Sequence, residues 1–182
     1  MTDNLLRPIA CLDFEASCLP TPAHESFPIE VGVAFVDTGE IRSWLIRPTA
    51  EWLQIGYWDP ASERVHGISL EILQRDGQGV EVVRRELASA VDGHVVVSDN
   101  RWYEQTWAEI LYDGTPPFRV ENHGAVLHAR APLPIAAFKD ALRDAEQAAL
   151  VHCPKQHRAG SDAHWLAEAC RLLLQWGSAD RL

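Results

Sequence analysis

Residues 28–48 constrain this chain more than any other stretch. "PIEVGVAFVD" (28–37) alternates, with Ile29, Val31, Val33 and Phe35 on one side and Glu30, Gly32, Ala34 and Val36 on the other. A period of two places such residues on opposite faces of a strand, not on one stripe of a helix. Thr38 and Gly39 then supply a turn signal, and "EIRSWLIRP" (40–48) reads as the hairpin partner. Residues 8–15 form a third early strand that runs into two carboxylates, Asp13 and Glu15. The fold must therefore be built on a sheet.

Helical patterns dominate the rest of the chain. A tryptophan-rich loop, "EWLQIGYWDP", leads to a short helix capped by Ser69 and ending near Gly77. Residues 80–91 read as a longer amphipathic helix and 94–98 as a short buried strand. Residues 101–112 are helical, with Tyr103, Trp107, Ile110 and Leu111 on one stripe. A fifth strand is expected around 118–127, and helices over about 134–150 and 160–176 complete the pattern. Early strands with helices interspersed later indicate an α/β fold, a mixed sheet covered by helices. The 182 residues suit one domain spanning residues 1–182.

Composition narrows the function classes. The chain is 47% hydrophobic and 23% charged, as in an ordinary soluble globular protein. No apolar run has the length of a membrane span, and the N-terminal "MTDNLLRP" lacks the basic and apolar regions of a secretory signal. Cys11, Cys18, Cys153 and Cys170 are scattered without a Cys-x-x-Cys pair, so reduced thiols in a cytoplasm are expected. A net charge of −10 argues against a broad non-specific grip on nucleic acid. It does not exclude an enzyme for phosphate esters whose carboxylates hold divalent cations.

Asp13 and Glu15 point to one side of their strand, while Leu12 and Phe14 point to the other. Two carboxylates so close repel each other, and one takes up a proton unless a cation neutralises the pair. Hard oxygen ligands suit Mg²⁺ or Mn²⁺. The plainer alternative is a polar strand end facing water. In "HRAGSDAHWLAEACRLLL" (157–174), Asp162 heads a helical stripe of Leu166, Ala169, Cys170 and Leu173. His157 is about 140° away around an ideal helix, so it must lie on the entering loop if both serve one site. The alternative there is a helix start capped by Ser161 or Asp162, with His157 solvated. Between these segments, "VVVSDNRWYEQTW" (95–107) offers Asp99 after a buried strand, suited to helix capping or a strand-end role, and Glu104 at the border of a helix's inward face.

"DFEAS", "SDNRWYE" and "HRAGSD", in that order, resemble the three motifs of the DEDDh 3′–5′ exonuclease superfamily. That group includes the proofreading subunit of bacterial DNA polymerase III, ribonuclease T and oligoribonuclease. "FPIEVG" and "VHGIS" resemble further landmarks of it, and the likeness runs from about Ile9 to Trp176. It implies a ribonuclease H-like fold with a mixed five-stranded sheet flanked by helices. It also implies that Asp13, Glu15, Glu104 and Asp162 hold two Mg²⁺ or Mn²⁺ ions, with Asp13 bridging, and that His157 is the general base. The implied reaction is hydrolysis of single-stranded DNA or RNA from the 3′ end to nucleoside 5′-monophosphates. His66 is expected in the pocket for the terminal nucleotide, or else as a surface residue before a helix. Leu19 and Phe27, and also Trp102, are candidates to wedge or stack bases.

The chain departs from that pattern once. Tyr103–Glu104 stands where the group has an aspartate after an aromatic, which leaves Asp99 as the alternative ligand. The competing function is a catalytically weak nucleic-acid-binding or partner-binding protein on the same fold. A hydrolase using Asp13 as nucleophile fits poorly, because its Asp-x-Asp pattern is absent. The absence of a basic cluster favours short single-stranded ends as partners. Homodimers are frequent in the group, and a homodimer is an expectation of the resemblance alone.

Overall fold

The computed structural model describes residues 6–179. Three early strands, β1 (Ile9–Ala16), β2 (Pro28–Phe35) and β3 (Ile41–Leu45), form an antiparallel meander. Two further strands, β4 (Val95–Ser98) and β5 (Val120–Asn122), pair parallel on the other side of β1. The sheet order is β3-β2-β1-β4-β5. The strand that carries Asp13 and Glu15 is therefore central, and it is paired on both sides only at its beginning.

Eight helices complete the described chain: α1 (Ala50–Ile55), α2 (Pro60–His66), α3 (Leu70–Asp76), α4 (Val80–Val91), α5 (Arg101–Tyr112), α6 (His123–Arg130), α7 (Ile135–His152) and α8 (Ala159–Ala179). On one face of the sheet, Leu12, Phe14, Val31, Val33 and Phe35 pack with Val83 and Leu87 of α4 and Trp107 and Leu111 of α5. On the other, Ile9, Cys11, Ala34 and Val97 pack with Leu166, Cys170 and Leu173 of α8 and with α7. Each aliphatic side chain of Leu size contributes about 1.5–3 kcal/mol through such burial. Asp13 and Glu15 share the α8 face with Cys11, as alternation along the strand requires.

The hairpin, the capped helix after Ser69, α4, β4 and α5 lie where the sequence places them. β2 differs in kind. Alternation predicts one covered face, yet all eight of its residues are buried, because α8 covers the Glu30–Gly32–Ala34 face. The region 118–127 is a strand only over Val120–Asn122. Asn122 then caps α6 by accepting a hydrogen bond from the Ala125 amide, and the chain becomes helical. Helices α1 and α2 replace part of the expected loop, each started by a side-chain cap, Thr49 and Asp59. Six- and seven-residue helices are too short to show a clear stripe. No helix among the described residues is long and apolar enough to cross a membrane.

Gly32 decides how closely α8 approaches. A Cβ at this position would lie 2.2 Å from the carbonyl carbon of Ala159 and 2.3 Å from the Gly160 nitrogen. Gly32 is also the cross-strand partner of Asp13. The missing side chain thus seats the α8 N-terminus beside the carboxylate strand. Gly32→Ala is expected to destabilise the protein by about 3 kcal/mol, because backbone rather than a flexible side chain must yield. Urea unfolding measures this, and an unchanged midpoint would show that α8 can shift without cost.

Candidate active site

β1 and β4 run parallel and finish at the same edge of the sheet, but pairing stops at Cys11–Val97. Beyond that register β1 continues alone on this side, and α5 begins just past the end of β4. The first turn of α5 brings Glu104 to the open edge, where the Phe14 backbone amide donates a hydrogen bond to its carboxylate. Glu104 is buried, and its Oε2 has no hydrogen-bond partner.

From the opposite face, α8 brings Asp162. One carboxylate oxygen each from Asp13, Glu15 and Asp162 lies within 4.8 Å of the others. Asp162 is buried, and its Oδ1 accepts a hydrogen bond from the Gln156 amide at 2.9 Å. It does not cap α8. That work falls to Glu30, which is buried and comes from β2. Glu30 accepts from the Ala159 amide at 2.9 Å and from both arms of the Arg158 guanidinium at 3.0 and 2.6 Å. An anion here satisfies a free amide at the helix start and suits the positive end of the helix dipole. Glu30 pairs in register with Glu15, so Arg158 also offsets their mutual repulsion.

The electrostatics of the cluster are unfavourable without a cation. Burial pushes the Asp13 carboxyl well above its usual range, and repulsion from Glu15 and Asp162 adds to it. Glu15 is pushed up to about 8, first by burial and then by Asp162 and Glu30. Glu104 is raised by burial and by Asp13, with the Phe14 amide opposing. A set of oxygen donors that repel one another, with a buried carboxylate oxygen left unpartnered, fits a hard divalent cation. A polar strand end facing water does not describe this arrangement.

Asp99 departs from the capping role that its place before a helix suggests. It caps nothing: the N-cap of α5 is Asn100, which makes no side-chain capping bond. The Asp99 carboxylate instead receives Lys155 Nζ at 2.9 Å, and that ammonium lies 3.9 Å from the centre of the Trp165 ring. Lys155 is the positive charge that lowers the cost of ionising both Asp13 and Glu15.

His157 lies on the loop entering α8, exposed, at φ 53°. A left-handed backbone is uncommon for a residue with a side chain, so the turn into α8 holds it against local preference. His66 is not a surface residue. It is buried at the end of α2, its Nδ1 accepts from the Ile68 amide at 3.0 Å, and its Nε2 has no partner. With Nδ1 as acceptor, the neutral ring carries its proton on Nε2. Burial lowers the pKa of His66, against the pull of Glu63 and Glu30, which keeps the neutral form. Leu19 is largely exposed. Phe27 is enclosed between Trp52 and Trp58 and presents no free face, so packing accounts for it where base stacking was expected.

Glu30, Arg158, Lys155 and Gly32 do not stand out as site residues in the sequence. The one available signal is an acid and a glycine on the same face of an otherwise apolar strand, within "FPIEVG".

The sheet order β3-β2-β1-β4-β5, with helices packed on both faces, is that of a ribonuclease H-like α/β fold. Solved structures of DEDDh 3′ exonucleases share this fold. The nuclease domain of 3′hExo, a DEDDh family member bound to rAMP, matches with a TM-score of 0.69 at 18% identity, covering 94% of this chain and 93% of that one. E. coli Exonuclease I in complex with a dA16 oligonucleotide matches with a TM-score of 0.65 at 14% identity, and 93% of this chain covers 42% of that one. A 3′-exonuclease in 3′-end-specific recognition of a histone mRNA stem-loop matches at 0.63 and 16% identity, covering 93% and 64%. The sequence matches no protein-family model and no curated protein.

Proposed function

We propose that the chain is a metal-dependent 3′–5′ exonuclease that acts as one catalytic unit on short single-stranded DNA or RNA ends. The observation that carries this reading is the meeting of Asp13, Glu15 and Asp162 from β1 and α8, with the unpartnered carboxylate of Glu104 beside them. The nucleotide, oligonucleotide and stem-loop bound by the structural neighbours agree with it. Asp13, Glu15, Glu104 and Asp162 would hold two Mg²⁺ or Mn²⁺ ions. When bound, such ions neutralise phosphate charge and acidify water.

The remaining tasks fall to side chains. His157, on the exposed loop, takes a proton from the attacking water as general base. His66 directs its Nε2 proton towards the terminal nucleotide, and Leu19 flanks the last base. Glu30 and Arg158 hold the α8 N-terminus, and with it Asp162, in register with β1. The product is a nucleoside 5′-monophosphate. A cytoplasmic location, where the four thiols stay reduced, belongs to the same proposal.

Incubation with 5′-labelled single-stranded DNA and RNA in Mg²⁺, Mn²⁺ or chelator tests the reading. A ladder shortening from the 3′ end only with metal is expected, and an intact substrate under every condition would overturn it. His157→Ala should lower the rate about 10²–10⁴-fold and remove the acidic limb of the pH–rate profile, since a protonated imidazole accepts no proton. An unaltered rate and profile would return His157 to a solvated loop. One observation favours a second reading, a catalytically weak nucleic-acid-binding protein: the three-carboxylate cluster closes without Glu104. In that case the oligonucleotide binds but no ladder forms.

A further inference from the structure

A second feature lies on the outer side of α5. A groove of about 350 Å³ runs along this helix against the segment leading into β5, lined by Arg101, Trp102, Gln105, Phe118 and Arg119 among others. Its floor is tied together: Gln105 Oε1 accepts from the Val120 amide at 2.9 Å, and Tyr112 packs edge-on against Phe118. Its rim is open. Trp102 is 73% exposed, although a free tryptophan on a surface loses the apolar burial its size would give.

The charges in the groove set it apart from the acidic site. The Arg101 guanidinium lies 4.6 Å from the centre of the Trp102 ring and, among the described residues, has no carboxylate partner. Arg119 faces Glu121 only at 3.5 Å, with its side chain mostly exposed. One acid, Glu109, also lines the groove, where its carboxylate accepts from the Gln105 amide at 3.0 Å. An exposed indole with the Arg101 guanidinium against its ring and Arg119 in a long, exposed ion pair, in a chain of net charge −10, is complementary to a flat base joined to phosphates.

The position is equally telling. Trp102 and Glu104 sit in the same first turn of α5, two residues and about 3 Å of axial rise apart, with side chains about 200° apart around the helix. Glu104 faces the carboxylates, and Trp102 faces the groove. We propose that this groove binds the single-stranded nucleic acid on the 5′ side of the cleaved end, with a base stacked on Trp102 and phosphates met by Arg101 and Arg119. The inference rests on the nuclease reading for the identity of its ligand. It adds that recognition extends several nucleotides beyond the terminal one.

Fluorescence anisotropy with 5′-fluorescein-labelled single-stranded DNA and RNA of about a dozen nucleotides, in chelator, measures binding without cleavage. Trp102→Ala should raise Kd about tenfold, and Trp102→Phe should recover most of the loss. Arg101→Ala with Arg119→Ala should flatten the slope of log Kd against log salt by about 1 to 2. Equal binding by wild type and these variants, or no binding by wild type, would overturn the groove assignment. Loss of nuclease activity is read separately: tight binding through Trp102 without any ladder keeps the groove and removes the exonuclease. A ladder with binding indifferent to Trp102 does the reverse.

Discussion

Asp13→Asn is expected to lose metal-dependent cleavage by about a thousandfold or more while leaving the metal-free protein as stable as the wild type, or more so. The activity loss follows from removing the carboxylate that faces Glu15, Asp162 and Glu104 at once. Cation contributions to a phosphoryl transition state amount to several kcal/mol, and 4 kcal/mol corresponds to about a thousandfold. The stability gain has the opposite origin. In chelator the wild type confines mutually repelling carboxylates, and an amide in place of one removes a charge without removing volume. A melting temperature a few degrees higher is expected for a chain of this size. Wild-type cleavage by Asp13→Asn, or a lower melting temperature in chelator, would overturn the two-cation reading of the cluster.

The same physics gives a pH dependence with a definite sign. The Glu15 carboxyl is raised from 4.5 to about 8, so between these values the folded state binds a proton that the unfolded state has released. Its contribution to stability is therefore complete below the unfolded pKa and is lost as pH rises through the folded one. In chelator, the deficit of wild type relative to Glu15→Gln should open as pH is raised from 4.5 towards 8. Added Mn²⁺ should close it most strongly at the alkaline end, because the cation competes with the proton for the same oxygens. Thermal melts across this range read both trends.

Glu104→Gln should abolish cleavage and weaken cation binding, whereas Asp99→Asn should leave both near wild type. The two acids share a segment but not an environment. Glu104 is buried beside Asp13, anchored by the Phe14 amide, with one oxygen free. Asp99 is partly exposed and committed to Lys155. Loss of that ion pair, with about a third of each side chain exposed, should cost no more than about 1 kcal/mol. This revises the expectation that Asp99 serves the fold as a helix cap, since Asn100 holds that position. Glu104→Asp shortens the arm by one methylene and surrenders the Phe14 amide, so it should regain little. Kinetics and Mn²⁺ titration of the three variants decide the matter. An inactive Asp99→Asn beside an active Glu104→Gln would move the fourth ligand to Asp99.

Much of the candidate site was legible because its signals are local. Asp13 and Glu15 share a face through the two-residue repeat of a strand, and a strand is what "PIACLDFE" prescribes. Asp162 heads the apolar stripe of α8 because a helix repeats every 3.6 residues. The ends of α5 were legible for the same reason, through Trp107 and Leu111. The resemblance of the three motifs then ordered these pieces into one site.

Partners far apart in the chain were not legible. Glu30 and Arg158 are separated by 128 residues, and nothing local to either names the other. Alternation in β2 announced a strand but left open whether its second face meets water or a helix. The burial of Glu30 depends on α8, whose close approach depends in turn on Gly32. His66 reads in sequence as lining a nucleotide pocket or as a surface residue before a helix, and only tertiary packing, with Trp58 edge-on at 6.3 Å, shows it buried. α6 replaced the later part of the strand expected over 118–127, because the Asn122 side chain caps a helix directly after the three residues of β5.

By itself the sequence determined the central carboxylate strand, the hairpin beside it, the helix headed by Asp162 and the order of the acidic motifs. Each follows from backbone periodicity and capping, which act over a few residues. The tertiary structure alone decided which acids meet, that Lys155 draws Asp99 aside while Glu104 turns inward, and that Glu30 seats α8. Those outcomes depend on burial and on charges brought together across the whole chain, and no local pattern encodes them.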